Sequence, residues 1–234
     1  MKYKTLGLIG GIGPESTIDY YKMIIKKFRE RFSTDDYPHL LINNINMTEM
    51  LSYVKENKLD ALSGFLAKEI KKLEEAGADF GALASNTPHI VFDELQKKVN
   101  LPLLSIVEEC FKEIRRKNIK RVGLFGTLST MEGGFYQTTG GKYSVEVVIP
   151  DKKSKEYINK IYFDELVLGI INPSTKKELI NIVIRMKDND EIKGLILGGT
   201  ELPLILDQGD FNDIKIFNTS KIHVESIIEK MFEN

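Results

Sequence analysis

The chain has very little of what metal sites and disulfide frameworks are made of. It contains one cysteine, Cys110, and three histidines, His39, His89 and His223, among 234 residues. A single cysteine excludes an internal disulfide and a cysteine-based metal site. The three histidines stand far apart in the sequence and show no spacing typical of metal ligands. We therefore expect no metal site.

An excess of charge of one sign is missing as well. The 33 basic and 34 acidic side chains give a formal net charge of −1. This balance argues against a nucleic-acid-binding surface and against a surface attracted to membranes. No apolar run approaches the roughly 18 residues that a transmembrane helix needs, and no apolar secretory stretch follows the start. We expect a cytoplasmic protein that binds neither nucleic acid nor membrane.

What the sequence does have is an alternation of strand-like and helix-like segments along its length. Short apolar runs alternate with amphipathic stretches, such as residues 14–31, where Ile18, Tyr21, Ile25 and Phe28 share one predicted helix face. This alternation predicts an α/β fold with parallel sheets flanked by helices on both sides. The predicted strands are 6–10, 40–45, 80–84, 103–106, 121–125, 144–149, 194–197 and 214–217, and the predicted helices are 14–31, 59–76, 153–168, 175–187 and 220–232.

Two elements of this pattern occur twice. A strand leads into Gly10-Gly11 and another into Gly126-Thr127, and in each half a later strand leads into small polar residues. The duplication predicts two similar lobes that pack closely with a cleft between them. The first lobe would comprise residues 1–105 and 218–234, and the second residues 106–217.

A glycine-rich turn joins the first strand to the first helix. Its residues Gly11, Ile12 and Gly13 let the backbone turn sharply and let a ligand approach, and the helix start behind them favours an anion. Ser16 stands where a dinucleotide-binding fingerprint has its third glycine, and no P-loop lysine follows. The turn therefore indicates a site for a small anion, and a tight turn without a ligand is the alternative.

Small polar residues follow three of the predicted strands, at the carboxyl ends, where open α/β sheets bind ligands. The Asn86 amide and the Thr87 hydroxyl could bind a carboxylate, or they could cap the helix turn that Pro88 favours. Thr127 after Gly126 admits the same two interpretations. Thr200 and Glu201, after Gly198-Gly199, do so too.

Two other reactive side chains have plainer interpretations. His89, four residues after Ser85, is typical of a packing or capping residue, and a role in tuning an active-site acid is the alternative. Cys110 lies in a helical pattern with Ile106 and Ile114, which indicates a small apolar core residue without a catalytic role.

Taken together, these segments resemble the aspartate/glutamate racemase family. The resemblance covers nearly the whole chain in the family's order, and its motifs are specific only in combination. Residues 8–17 with Tyr20-Tyr21 resemble the family's opening, residues 84–89 its first catalytic segment, residues 124–127 its central turn, and residues 198–202 its second catalytic segment. The stretches 130–136 and 158–169 are similar to the family as well.

The resemblance implies two facing Rossmann-like lobes with an active-site cleft between them. It also implies a cofactor-independent amino-acid racemase, often a homodimer, with a small amino acid or dicarboxylate at the lobe interface. In this family two cysteines on opposite sides of Cα remove and return the proton, since a tuned thiol serves as either base or acid. Their positions here are Ser85 and Gly199. The positions that would bind the substrate are Gly11, Ile12, Gly13, Asn86, Thr87, Thr127, Thr200 and Glu201.

The departures from the family bear on activity. The Ser85 hydroxyl is a far poorer base than a thiolate, and Gly199 has no side chain, so a two-thiol mechanism is excluded. Asn46-Met47 and Leu168 stand where aspartate-specific members carry Arg and Lys. Three interpretations stay open: an engineered inactive variant, a natural member in which His89, Glu132 or a water replaces a thiol, and a non-catalytic binder of a small carboxylate.

Overall fold

The computed structural model describes residues 3–32 and 36–233, which form two compact units. One unit contains the described residues up to 106 and from 220 onwards, and the other contains residues 107–219. Each unit is built on a four-stranded sheet in which every pairing is parallel. The prediction of parallel sheets flanked by helices is confirmed.

The first unit has the strand order β2-β1-β3-β4. Its strands are β1 (Leu6–Gly10), β2 (Leu40–Asn44), β3 (Phe80–Leu83) and β4 (Leu103–Leu104). Its helices are α1 (Pro14–Phe32), α2 (Met47–Lys55), α3 (Leu59–Glu75) and α4 (Phe92–Lys98), a 3₁₀ turn at Thr87–Val91, and the C-terminal α10 (Thr219–Met231).

Both faces of the first sheet are covered, which explains why its central strands are apolar throughout. Along β1, Leu6 and Leu8 belong to the core beneath α1 and α10, while Ile9 belongs to the core beneath α3. Alternate residues of a strand point to opposite faces, so a strand covered on both sides has no polar face. The two cores therefore hold the carboxyl ends of β1 and β3 in fixed positions.

The apolar face predicted for α1 is wrong in part. Phe28 is buried, but Ile18 and Tyr21 are 43% and 49% exposed, and the buried stripe runs through Tyr20 and Ile24. The two candidate stripes differ by a rotation of about one residue, which helical periodicity alone separates poorly. Burial against the sheet decides which stripe turns inward.

A buried polar chain ties α10 to the first unit. His223 Nε2 donates to the Leu104 carbonyl over 3.1 Å, so its Nδ1 is left to accept from the Tyr20 hydroxyl over 3.0 Å. Because a buried donor without a partner costs stability, this chain fixes α10 in one register on the unit.

The second unit repeats the same topology with the order β6-β5-β7-β8. Its strands are β5 (Arg121–Phe125), β6 (Glu146–Val148), β7 (Gly194–Leu197) and β8 (Lys215–Asn218). Its helices are α5 (Ile106–Arg116), α6 (Leu128–Glu132), α7 (Phe135–Lys142), α8 (Lys152–Asp164) and α9 (Pro173–Asp190), with 3₁₀ turns at Leu166–Leu168, Leu202–Leu204 and Gln208–Asp210.

The observed helices and strands differ from the predicted ones at the ends of some elements and in several short helices. The helix predicted to reach residue 168 ends as α8 at Asp164, and the chain continues as a 3₁₀ turn that Gly169 closes at φ 71°. The short helices α2, α4, α6 and α7 were not predicted, because they are too brief to show a clear apolar period. None of the helices in the described ranges is both long and apolar enough to cross a bilayer.

Candidate functional site

In the first unit, the glycine turn and the Ser85 segment lie side by side at the carboxyl ends of two neighbouring strands. Strands β1 and β3 are paired in register, with Ile9 opposite Leu83. The Ser16 hydroxyl crosses between the two segments and donates to the Ala84 carbonyl over 2.9 Å. The topology therefore brings residues 10–13 and 84–87, which are distant in sequence, to the same place.

The turn itself needs glycine for steric reasons. Gly11 has φ +83°, and a Cβ there would overlap the Ile45 carbonyl and lie 2.9 Å from the Asn44 amide. The Gly11 N–H donates to the Thr17 hydroxyl over 2.8 Å. Since this N–H is engaged within the protein, a ligand at the turn would have to be held by other groups.

The Ser85 segment is buried at the end of its strand. Ser85, Asn86 and Thr87 are 7%, 2% and 7% exposed. Asn86 precedes the 3₁₀ turn, but its side chain makes no capping hydrogen bond there. The capping interpretation of Asn86 is therefore wrong.

His89 is a packing residue within the first unit. Its ring stacks on Phe92 with centroids 5.0 Å apart and an interplanar angle of 6°, and its Nε2 accepts from the Ile106 N–H over 3.3 Å. Burial, assisted by the charge of His223, lowers the pKa of His89 to about 3. The imidazole is therefore neutral, and its Nε2 lone pair is already committed to the backbone.

The second unit repeats the arrangement at the ends of β5 and β7. Phe125 pairs with Leu197, and the Gly198 N–H donates to the Phe125 carbonyl over 2.7 Å. A Cβ at Gly126 would lie 3.0 Å from the Gly198 carbonyl oxygen, so glycine permits the close approach. The turn at residues 126–127 and the segment 198–201 are thus neighbours.

Thr127 acts as a helix cap. Its hydroxyl accepts from the Thr130 N–H over 3.3 Å and lies 3.1 Å from the Thr130 hydroxyl, at the start of α6. The neighbouring Leu128 N–H donates to the Asn159 side chain on α8 over 2.9 Å. The capping interpretation of Thr127 is confirmed.

The place of a side chain at position 199 is filled by Tyr162 of α8. A Cβ built on Gly199 would overlap Cε2 of the Tyr162 ring and lie 3.0 Å from both its Cζ and its hydroxyl oxygen. The backbone of Gly199 lies outside the left-handed region, so its conformation would accept a side chain. The neighbouring ring, rather than the backbone, therefore requires glycine here.

Tyr162 belongs to a buried cluster with Glu201 and Thr200. The Tyr162 hydroxyl donates to Glu201 Oε2, and the Thr200 hydroxyl donates to the same oxygen over 2.8 Å. Tyr162 and Glu201 are 7% and 4% exposed. In the part of the chain that the structure describes, Glu201 forms no ion pair, so two neutral hydroxyl groups hold this carboxyl group.

The surroundings of Tyr162 keep its hydroxyl protonated. Burial raises the pKa of Tyr162 well above its usual value of 10, and the adjacent Glu201 charge raises it further. Sequence reasoning named Glu201 and Thr200 but missed Tyr162. The available signal was its position three residues after Asn159, which places both side chains on one face of α8.

The remaining candidates lie in other surroundings. The Glu132 carboxylate pairs with Lys155 over 2.6 Å. Asn46 caps α2 by accepting from the Thr48 and Glu49 N–H groups, and Leu168 is 66% exposed.

The single thiol, Cys110, is fully buried in α5, and burial raises its pKa. It is the core residue that the helical pattern predicted. Within residues 3–32 and 36–233, no group of three or more His, Cys, Asp or Glu side chains is arranged to hold a metal ion.

Comparison with known sequences identifies relatives over most of the chain. Residues 9–227 match the sequence model of the family described as Asp/Glu/Hydantoin racemase. The broad specificity amino-acid racemase RacX of Bacillus subtilis is 31% identical over 149 residues, which cover 62% of this chain and 64% of RacX. The matched region thus spans slightly less than two thirds of that relative. The resemblance noted in the sequence is confirmed.

Solved structures agree. The crystal structure of an aspartate racemase homologue from Pyrococcus horikoshii matches with a TM-score of 0.86 at 38% identity, covering 98% of this chain and 100% of the other. Picrophilus torridus aspartate racemase matches with a TM-score of 0.74 at 24% identity, covering 99% and 95% of the two chains. At that identity the second match shows a shared fold alone.

Proposed function

Since the chain belongs to the Asp/Glu/Hydantoin racemase family, we propose that it is an amino-acid racemase that needs no cofactor. It would remove and return the proton at Cα of a small amino acid. RacX is named a broad specificity amino-acid racemase and the Pyrococcus horikoshii protein an aspartate racemase homologue, which supports the reaction class.

One observation carries this proposal. In each unit, a turn containing glycine lies beside a segment of hydroxyl side chains at the carboxyl ends of two neighbouring strands, 10–13 beside 84–87 and 126–127 beside 198–201. Open α/β sheets bind ligands at these strand ends, because the loops there supply exposed backbone groups and short polar side chains. Such groups suit the α-carboxylate of an amino acid.

In the second unit, the Thr127 hydroxyl caps α6 and the Thr200 hydroxyl donates to Glu201. In the first unit, the Asn86 amide and the Thr87 hydroxyl lie at the end of β3, and we assign the carboxylate to them by this position. An amide N–H and a hydroxyl are both suitable donors to a carboxylate.

We expect uncharged amino acids among the substrates. Asn46 and Leu168 carry no charge, and they stand where the resemblance places Arg and Lys in aspartate-specific members. Without these cations a second carboxylate on the substrate loses its partner, and an unpaired charge is costly to desolvate. The name of RacX, a broad specificity amino-acid racemase, is consistent with this expectation.

The resemblance to the family also supports a homodimer located in the cytoplasm, and we include both in the proposal. Light scattering coupled to size exclusion should give about twice the chain mass of 26.6 kDa.

The proposal is tested by proton exchange at Cα. Each of the common amino acids, as either enantiomer, is incubated with the protein in heavy water and followed by ¹H NMR and chiral chromatography. We expect exchange and slow racemisation of at least one uncharged amino acid, and loss of exchange in Ser85→Ala. The matched control Ser52→Ala removes a hydroxyl from α2, where it only donates to the Glu49 carbonyl. Absence of exchange with every amino acid would contradict the proposal.

A second candidate function is favoured by the missing side chain at Gly199. A family member without a thiol there could bind a small carboxylate without turning it over. Calorimetry then gives binding of an amino acid, weakened about tenfold in Asn86→Ala, while no exchange occurs. The two outcomes separate a catalyst from a binder.

A further inference from the structure

The second unit carries a proton-donating group at the position that the family gives to its second thiol. The Tyr162 ring occupies the space of a side chain at position 199, and its hydroxyl oxygen lies 3.0 Å from where a Cβ at that position would be. A thiol sulfur lies one bond beyond Cβ. The phenolic oxygen therefore lies next to the space that a cysteine side chain would need.

We propose that Tyr162 is a catalytic residue that replaces the second thiol of the family, working with Glu201 as its proton store. This proposal rests on the proposed racemase function. The proposed arrangement differs from the family's two thiols because the proton donor, the Tyr162 hydroxyl, belongs to helix α8 rather than to the segment that follows β7.

The hydrogen bonds of the cluster suit a proton relay. Tyr162 donates to Glu201 Oε2, and Thr200 donates to the same oxygen and holds it in place. A hydroxyl bonded to a buried carboxyl group can pass its proton in either direction without moving other groups. The buried position of both residues excludes bulk water, which would otherwise compete for the proton.

For exchange on one face of Cα, the proton transfers balance between the substrate, Tyr162 and Glu201. In one direction the Cα–H bond breaks, its proton passes to the Tyr162 oxygen, and the hydroxyl proton passes to Glu201 Oε2. The electron pair of the C–H bond stays on the substrate, delocalised into its carboxylate. In the other direction the Tyr162 hydroxyl proton forms the new Cα–H bond, and the tyrosine oxygen takes the proton of the Glu201 carboxyl group.

Glu201 is needed because Tyr162 does not ionise by itself near neutral pH. Burial and the neighbouring carboxyl group raise the pKa of its hydroxyl well above 10. A standing phenolate base is therefore absent at pH 7, and the tyrosine acts as a neutral hydroxyl that passes protons on. Because the tyrosine stays protonated, exchange should be slower than with a thiolate.

Tyr162→Phe provides the test, because it removes the hydroxyl and keeps the ring that fills the space beside Gly199. We expect kcat for exchange at Cα in heavy water to fall about 100-fold or more, the range of general acid–base contributions, with KM changed less than about threefold. The matched control Tyr157→Phe removes a phenolic hydroxyl from the same helix, and its exchange rate should equal that of the unmodified protein.

A second variant distinguishes loss of the proton relay from loss of folding. Glu201→Gln can still accept a hydrogen bond from Tyr162 but cannot store a proton, so kcat should again fall while thermal stability stays near that of the unmodified protein. If Tyr162→Phe exchanges as fast as the unmodified protein, the relay is refuted and the racemase function stands. If the unmodified protein exchanges no amino acid, both proposals fail.

Discussion

The Tyr162 ring fills the space that any side chain at position 199 would need. A Cβ at Gly199 would overlap this ring. Glycine at 199 and tyrosine at 162 are thus sterically matched.

The match predicts that restoring the thiol alone will fail. Gly199→Cys forces Cβ into the Tyr162 ring and should lower the free energy of unfolding by about 1–3 kcal/mol, the usual cost of overpacking. In Gly199→Cys/Tyr162→Ala the loss should be smaller than the sum of the losses in the two single variants, since the two positions are in contact. Urea unfolding of the single and double variants measures both effects.

Activity should follow the same pattern. Thiol-dependent exchange at Cα should appear in Gly199→Cys/Tyr162→Ala and be abolished by iodoacetamide. Gly199→Ala/Tyr162→Ala, which carries the same Cβ without sulfur, is the control. Equal stability of Gly199→Cys and the unmodified protein would show that the ring does not require glycine.

Modification of Cys110 should leave the protein's activity unchanged. The thiol is fully buried and its pKa is raised by burial, so little thiolate is present to react. We expect Ellman's reagent to titrate no thiol in the native protein and one in guanidinium. Rapid inactivation of the native protein by a thiol reagent would contradict the assignment of Cys110 to the core.

Introducing a thiol at the first family position should raise activity. Ser85→Cys exchanges a hydroxyl for a group of lower pKa, so a far larger fraction is ionised near pH 8. We expect exchange at Cα to increase at least tenfold between pH 7 and 8.5. The same substitution at Ser52, on α2, is the control, and an unchanged rate in Ser85→Cys would argue against a role for this position.

Thr127 should matter for stability through its cap. Thr127→Ala removes the acceptor for the Thr130 N–H and should lower the free energy of unfolding by about 1 kcal/mol. Thr127→Ser keeps the hydroxyl and should lose much less. If Thr127→Ala has unchanged stability but weaker amino-acid binding, the threonine is a ligand group rather than a cap.

His89 should make stability depend on pH in a defined window. Its pKa is about 3 in the folded protein and near 6.5 when unfolded, so below pH 6.5 the unfolded chain takes up a proton that the folded one refuses. The contribution is complete above pH 6.5, and falls by at most about 1.4 kcal/mol per pH unit as the pH drops towards 3.

Urea unfolding at pH 5, 6 and 7 measures this slope. His89→Gln keeps an acceptor for the Ile106 N–H but cannot be protonated, so its slope should be smaller than that of the unmodified protein. His39→Gln changes an exposed imidazole and serves as the control. Identical slopes in all three proteins would show that His89 is not kept neutral by its burial.

The sequence by itself determined the α/β class, most of the strands and the segments that carry the chemistry. Apolar runs of four or five residues read as buried strands because sheets covered on both faces have no polar side, and the polar residues after Leu83 and Leu197 follow directly in the chain. Recognition of the family resemblance also needed only these motifs and their order in the sequence.

Tertiary structure decided which of these residues are engaged in other hydrogen bonds and which side chain lies against Gly199. Thr127 is a cap and Asn86 is not, since capping depends on local backbone angles that composition does not fix. Tyr162 lies 37 positions before Gly199 in the sequence, and only the packing of α8 beside the end of β7 brings its hydroxyl to Glu201. A glycine shows that a side chain is absent, and only the fold shows which neighbour fills the space.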